Sequence, residues 1–232
     1  MAKSKSYKQS KAQKLHAAEE RKKNTTAFLL VIAAVCFAGI ASLLYEVLWV
    51  RQLGLSLGST AVATSVMLTA FLGGLAIGSV LIGRMIEKLK SHENTFMGVE
   101  FLAAIFGLLS IPALELTGRA YVFISATFHI GGFGATLLRI LFSLIVMLIP
   151  AILFGCTFPL TTEIAAKFRA SEEAAGTVSA VSAFGSCIGA LLCGLWLEPA
   201  FGLFTSAMVG SAFNLAALGC IALVNSITAK NQ

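Results

Sequence analysis

The chain has 232 residues, of which 57% are hydrophobic and 12% charged, with a formal net charge of +6 and a mean hydropathy of +0.88. Ordinary soluble domains carry about 25% charged residues, so this balance argues against a water-soluble enzyme and for a chain solvated by lipid. Nor is the charge a nucleic-acid footprint: Lys3, Lys5, Lys8, Lys11, Lys14, Arg21, Lys22 and Lys23 face only Glu19 and Glu20 in the N-terminal segment, and the remaining basic and acidic residues cancel.

In chain order, residues 1–25 read as a basic, disordered cytoplasmic tail that attracts anionic lipid. The first apolar run, 26–50, carries Glu46 and ends at Trp49 and Arg51, an aromatic and a cation suited to a membrane interface. It is too long for a secretory h-region and reads as an uncleaved first helix. A second run covers 60–83, a polar segment 84–94 follows, and the third run, 95–116, contains Glu100 and Pro112. Residues 121–134 are apolar but about half a span, with His129 and the pair Gly131 and Gly132, so they are expected as an interfacial or re-entrant segment. His129 reads there as a polar interface residue rather than a ligand. The fourth helix is expected over 136–161 with Pro150 and Pro159, then a charged loop 163–173 and a fifth helix over 176–197. Glu198, Pro199 and Gly202 predict a tight turn before a sixth helix over 203–227, leaving 229–232 as a short cytoplasmic C-terminus.

The expected fold is therefore all-α, a polytopic bundle of six transmembrane helices over 26–228. Orientation follows from the side on which Lys and Arg accumulate. With the N-terminus inside, fourteen basic residues lie in the cytoplasm against Arg51, Arg119 and Arg139 outside. Both termini are then cytoplasmic, in a cell membrane of the bacterial inner-membrane type. A seventh span at 121–134 would move Lys167 and Arg169 outside, so the same count favours six.

Helices in lipid associate where small residues let backbones approach. Gly74, Gly78 and Gly83 in the second helix have the spacing of Gly185, Gly189 and Gly194 in the fifth. That match suggests a 3+3 inverted repeat, as in half of a major-facilitator transporter; close packing without a repeat would call for the same residues.

Charges inside a span cost about 3 kcal/mol or more when unpaired, so Glu46, Glu100 and Arg139 should face the bundle interior. Glu46 and Arg139 lie at similar depth near the outer face and are expected to approach each other or to share a cleft with Arg51. The alternative is that Arg139 snorkels to the interface while Glu46 braces an outer loop. Glu46, Arg51, Glu100 and Arg139 are the candidate substrate-binding residues, Glu46 being the first choice for a cation or a proton. Cys36, Cys156, Cys187, Cys193 and Cys220 all fall in apolar runs without metal-ligand spacing, so no metal is expected. The chain has no nucleotide-binding glycine loop, no HExxH, no GxSxG and no Asp. No cofactor and no catalytic residue are assigned.

Four stretches carry a family resemblance: GIASLLYEVLWVRQLGLSLGST at 39–60, AFLGGLAIGS at 70–79, LIPAILFGCTFPL at 148–160 and FGSCIGALLCGLWLEPAFGL at 184–203. They resemble the membrane portion of spermidine-synthase-like transmembrane proteins, described as fused major-facilitator and spermidine synthase proteins. The most specific part is YEVLWVR, Tyr45 to Arg51, supported by Pro150, Gly155 and Pro159. In that family the membrane helices usually precede a cytoplasmic Rossmann-like synthase domain. The sequence departs from it in lacking that domain's glycine-rich loop and acidic residues, and in having Ser182 where the fifth helix often has Asn. The resemblance implies a transporter-like module that handles a polyamine or related small cation, or tethers a separately encoded cytoplasmic spermidine-synthase-like protein. The alternative is a non-transporting scaffold or assembly subunit of a membrane complex. The expected partners are the lipid bilayer, such a synthase and a second copy in a homodimer; nucleic acid is not among them.

Overall fold

In hydrocarbon every backbone N–H and C=O must be bonded within the chain, so long apolar runs have helices as their open solution. The computed structural model describes the backbone of residues 2–58, 60–128 and 132–229, where all regular structure is helical. The elements are α1 (Ala2–Leu57), α2 (Thr60–Met85), α3 (His92–Phe128), α4 (Gly132–Ala166), α5 (Ser171–Leu192) and α6 (Glu198–Ala229). A 3-10 turn, Ile86–Lys88, follows α2, and a π-helical turn, Cys193–Leu197, joins α5 to α6.

Five helical runs among the described residues are long and apolar enough to cross a bilayer, not the six expected. The difference lies in the last, Ser171–Thr228, a single run of 58 residues. Glu198 and Pro199 do not end the helix as expected; a π-turn carries the bonding through to Glu198, and Pro199 falls in the first turn of α6, where a missing N–H is tolerated. The break is one residue, Gly202 (φ 77°, ψ 175°), in a region of backbone space essentially reserved for glycine. Straight, such a run would extend roughly 87 Å, far beyond a ~30 Å bilayer core. The bend at Gly202 lets residues on both sides of it pack into the same apolar clusters. Cys193 and Leu197 share one apolar cluster with Ala207, while Ala174 and Val178 share the other with Ala217, Ile221 and Val224.

Two further elements differ in extent from the sequence reading. The tail segment expected to be disordered carries helical backbone from Ala2, continuous with the first span; its Lys, Gln, Ala, Glu and Arg are strong helix formers. The expected interfacial segment instead prolongs α3 as far as Phe128 and opens α4 at Gly132. His129 and Gly131 lie outside the described residues.

The largest helix contacts follow one rule: α4 stands to α2 and α3 as α1 stands to α5 and α6, α3 meets α6, and α1 meets α4; the smaller contact of α1 with α3 has no comparable counterpart between α4 and α6. Exchanging α1 with α4, α2 with α5 and α3 with α6 leaves the pattern of the largest contacts unchanged. The two closest approaches repeat in atomic detail. A Cβ on Gly78 would meet the Ile152 carbonyl oxygen, and one on Gly185 the Cys36 carbonyl oxygen. Reciprocally, a Cβ on Gly155 would meet the Leu75 carbonyl oxygen, and one on Gly39 that of Ser182. Beside each pair a serine bridges the same gap: Ser79 Oγ donates to Gly155 O at 2.9 Å, and Ser186 Oγ to Gly39 O at 3.3 Å. The first of these bonds has a covalent reason. Pro159 has no N–H for the carbonyl four residues earlier, which is that of Gly155, and the serine of a neighbouring helix replaces it.

Candidate functional site

The candidate residues separate into two places at different depths. Toward the end of α1, the YEVLWVR stretch sends alternate turns of its side chains to different neighbours. Tyr45 and Trp49 point inward and are fully buried. The Tyr45 hydroxyl shares a hydrogen bond with Ser211 Oγ at 2.8 Å and reaches Ala207 O at 3.0 Å; Ser211 Oγ donates onward to Ala104 O at 2.7 Å. Trp49 Nε1 donates to Ser110 Oγ at 2.8 Å. These two aromatic residues bind α1 to α6 and α3, and Phe154 of α4 stacks against Tyr45 with ring centres 5.8 Å apart.

Glu46 and Arg51 take the other face, where they line an open groove of about 700 Å³ with Val47, Val50, Gly194 and Glu198. The wall opposite α1 is the π-turn, which presents Gly194, and the start of α6, which presents Glu198. Such single π-turns frequently mark functional positions, because the extra residue re-aims the side chains that follow. Arg51 Nε donates to Glu198 Oε1 at 3.0 Å. Glu46 is half-buried and makes no hydrogen bond or ion pair among the described residues. The groove therefore holds two carboxylates, one joined to a guanidinium and one open to a ligand. Sequence reasoning read Glu198 only as a turn residue; its signal was a carboxylate at the same level as Arg51, ahead of Pro199. Arg139, expected nearby, donates through Nη1 to the Ser56 carbonyl at the end of α1.

Glu100 is elsewhere, fully buried on α3. Its Oε1 accepts from Thr157 Oγ1 of α4 at 3.0 Å, while its Oε2 has no hydrogen-bond partner among the described residues. Thr157 was not singled out in the sequence, since a threonine in an apolar helix is ordinarily bonded to its own backbone. On its other side it lines a cavity of about 200 Å³ between α1, α2, α4 and α5, at the level of the two glycine contacts. That cavity is walled by Phe71, Phe154 and Phe158, yet Ser42, Thr157, Thr161, Ser182 and Ser186 all line it.

Of the six candidate packing glycines, four make close contacts. Gly74 meets Ala151, Gly78 meets Ile152, Gly185 meets Cys36 and Gly189 meets Ile40. A Cβ on Gly83 would find open space and one on Gly194 ordinary contact with Val47 at 3.9 Å. The contacts also make Gly78 the equivalent of Gly185, one turn away from the correspondence read from spacing. Among the described residues no group of three His, Cys, Asp or Glu could hold a metal ion.

Comparison with known proteins gives a distant relation over most of the chain. It is 28% identical over 208 residues to the polyamine aminopropyltransferase of Mycobacterium tuberculosis, strains CDC 1551 / Oshkosh and H37Rv. The polyamine aminopropyltransferase of Mycobacterium bovis matches to the same extent. The alignment covers 84% of this chain and 35% of each relative, so the chain spans about a third of the length of the relatives it matches. No family model matches, and no solved structure matches.

Proposed function

We propose that the chain is a membrane module of a polyamine-synthase-like system, crossing the bilayer six times with both termini in the cytoplasm, and that its groove binds a small organic cation of the polyamine class. The observation that carries this reading is Glu46, a carboxylate in a groove beside the Arg51–Glu198 pair, with no partner of its own among the described residues. A protonated amine would neutralise Glu46, and a second amine along the same ligand would compete with Arg51 for Glu198. The distant relation to polyamine aminopropyltransferases supports the choice of ligand class.

The sixth crossing is supported by the bend at Gly202 and by the apolar clusters that the segments on either side of it share. The largest helix contacts, unchanged by that exchange, support the inverted repeat: with the N-terminus inside, α1 and α4 run in opposite directions, as do α2 and α5. A tethering role is the second reading. It is favoured by the match to 35% of an aminopropyltransferase, and it would have this module hold a synthase-like domain, in the same polypeptide or another, at the membrane.

The test is binding of labelled spermidine to the purified protein in nanodiscs, followed by uptake into proteoliposomes. We expect Glu46→Gln to weaken binding about tenfold or more, the equivalent of ~1.4 kcal/mol. Unchanged binding in Glu46→Gln would remove the groove from the reading. No binding by the wild type would end the ligand assignment and leave the tether. Binding without uptake would restrict the groove to recognition.

A further inference from the structure

We propose that Glu100 is a proton-carrying site, served from the hydroxyl-lined cavity through Thr157. The inference rests on the membrane-embedded reading above but not on the groove or its ligand. Glu100 is fully buried, and its Oε2 touches no hydrogen-bond donor. No Lys, Arg or His lies within ion-pair reach among the described residues, and α4 offers it only the neutral Thr157 hydroxyl. On α6, which also packs against α3, the buried polar side chains are the uncharged Ser206, Ser211 and Asn214. A carboxylate so placed would be an uncompensated charge in a medium of low dielectric, and a proton is the counter-ion that needs no further ligands.

The geometry also supplies a switch. Thr157 Oγ1 lies 3.0 Å from Glu100 Oε1 and 3.4 Å from its own turn's acceptor, Leu153 O. Its single hydrogen can serve either. With Glu100 ionised, the threonine hydroxyl donates to Oε1. With Glu100 protonated, Oε1–H donates to Thr157 Oγ1, whose own hydrogen turns to Leu153 O. Both states keep every hydroxyl hydrogen bonded. The step is a plain proton transfer: hydronium in the cavity gives one proton to Thr157 Oγ1 as the threonine's own hydrogen passes to Glu100 Oε1, leaving water and a neutral carboxyl, and the reverse releases it. Ser42, Thr161, Ser182 and Ser186, together with Thr157, provide the polar lining that ordered water requires in an otherwise apolar cavity.

The experiment is infrared difference spectroscopy of the full chain in lipid, titrated from acid to alkaline pH in H2O and D2O. The expected result is a protonated-carboxyl band that shifts down in D2O, disappears in alkali and is lost in Glu100→Gln. Thr157→Val should move the same band upward by removing its hydrogen-bond acceptor, which tests the assignment without altering the carboxylate. A wild type with no such band, or a band that neither exchanges in D2O nor responds to pH, would overturn the proposal. A band unaffected by Thr157→Val would overturn the route. Spermidine binding by the same samples reports on the groove separately, so the two readings fail independently.

Discussion

Tyr45 is the side chain on which three helices converge. Its ring sits against Gly107 of α3 and Gly210 of α6, where an added Cβ would come within 2.6 Å and 3.0 Å of ring atoms. Its hydroxyl joins the Ser211 and Ala207 bonds. We predict that Tyr45→Phe costs about 1 kcal/mol, the loss of one buried hydrogen-bond set whose partner Ser211 keeps its bond to Ala104. Gly107→Ala should cost about 1–3 kcal/mol, because the ring must move out of a filled core. Thermal unfolding in detergent, followed by tryptophan fluorescence, would rank the two; equal midpoints would refute the account. The aromatic and glycine residues were visible in the sequence, but not that one tyrosine fills the space two distant glycines leave open.

At the level of the helix, the repeated Gly-Ser device makes a selective prediction. Gly78→Ala and Gly185→Ala each drive a methyl group into a backbone carbonyl that cannot rotate away. Separating the helices then costs dispersion and the serine bridge together, roughly 2–3 kcal/mol or more. Gly83→Ala and Gly194→Ala meet nothing closer than 3.9 Å and should be near neutral. Size-exclusion profiles and melting points of the four variants decide the matter: equal losses in all four would mean that spacing, not contact, had been measured. Sequence spacing aligns Gly185 with Gly74, whereas the contacts match it to Gly78; a helix repeats its faces every turn, so a shift of one turn leaves the pattern almost intact. Only the reciprocal contacts with Gly39 and Gly155, on other helices, select the register.

For the molecule as a whole, the helix exteriors carry Leu72, Ile145, Leu191 and Leu195 in exposed positions, compatible with contact with lipid. A different set of contacts marks the end of the bundle assigned to the cytoplasm. Lys167 Nζ pairs with Glu93 Oε1 at 2.6 Å, and the Arg169 guanidinium lies 5.2 Å from the centre of the Phe28 ring. We predict that cysteines placed at the two termini are both labelled from the cytoplasmic side and that one at Leu55, at the groove, is labelled from the opposite side. Termini found on opposite faces would contradict the six-crossing reading. An N-terminus labelled from outside would instead put the Glu46 groove on the cytoplasmic side.

The sequence by itself determined that the chain is helical and apolar enough to cross a membrane, because hydrophobic run length and the obligation to bond the backbone leave no other solution. It also marked Glu46, Arg51 and Glu100 as unusual, since a charge in an apolar run is conspicuous without any coordinates. What it could not determine was which charges meet, where α5 gives way to α6, and that Glu198 and Thr157 belong beside them. Those facts depend on residues more than fifty positions apart brought together by helix packing, and a bond between neighbouring helices leaves no periodic trace in either one. Tertiary structure alone decided that Glu100 has one satisfied oxygen and one without a partner, because satisfaction is a property of surroundings rather than of residue type.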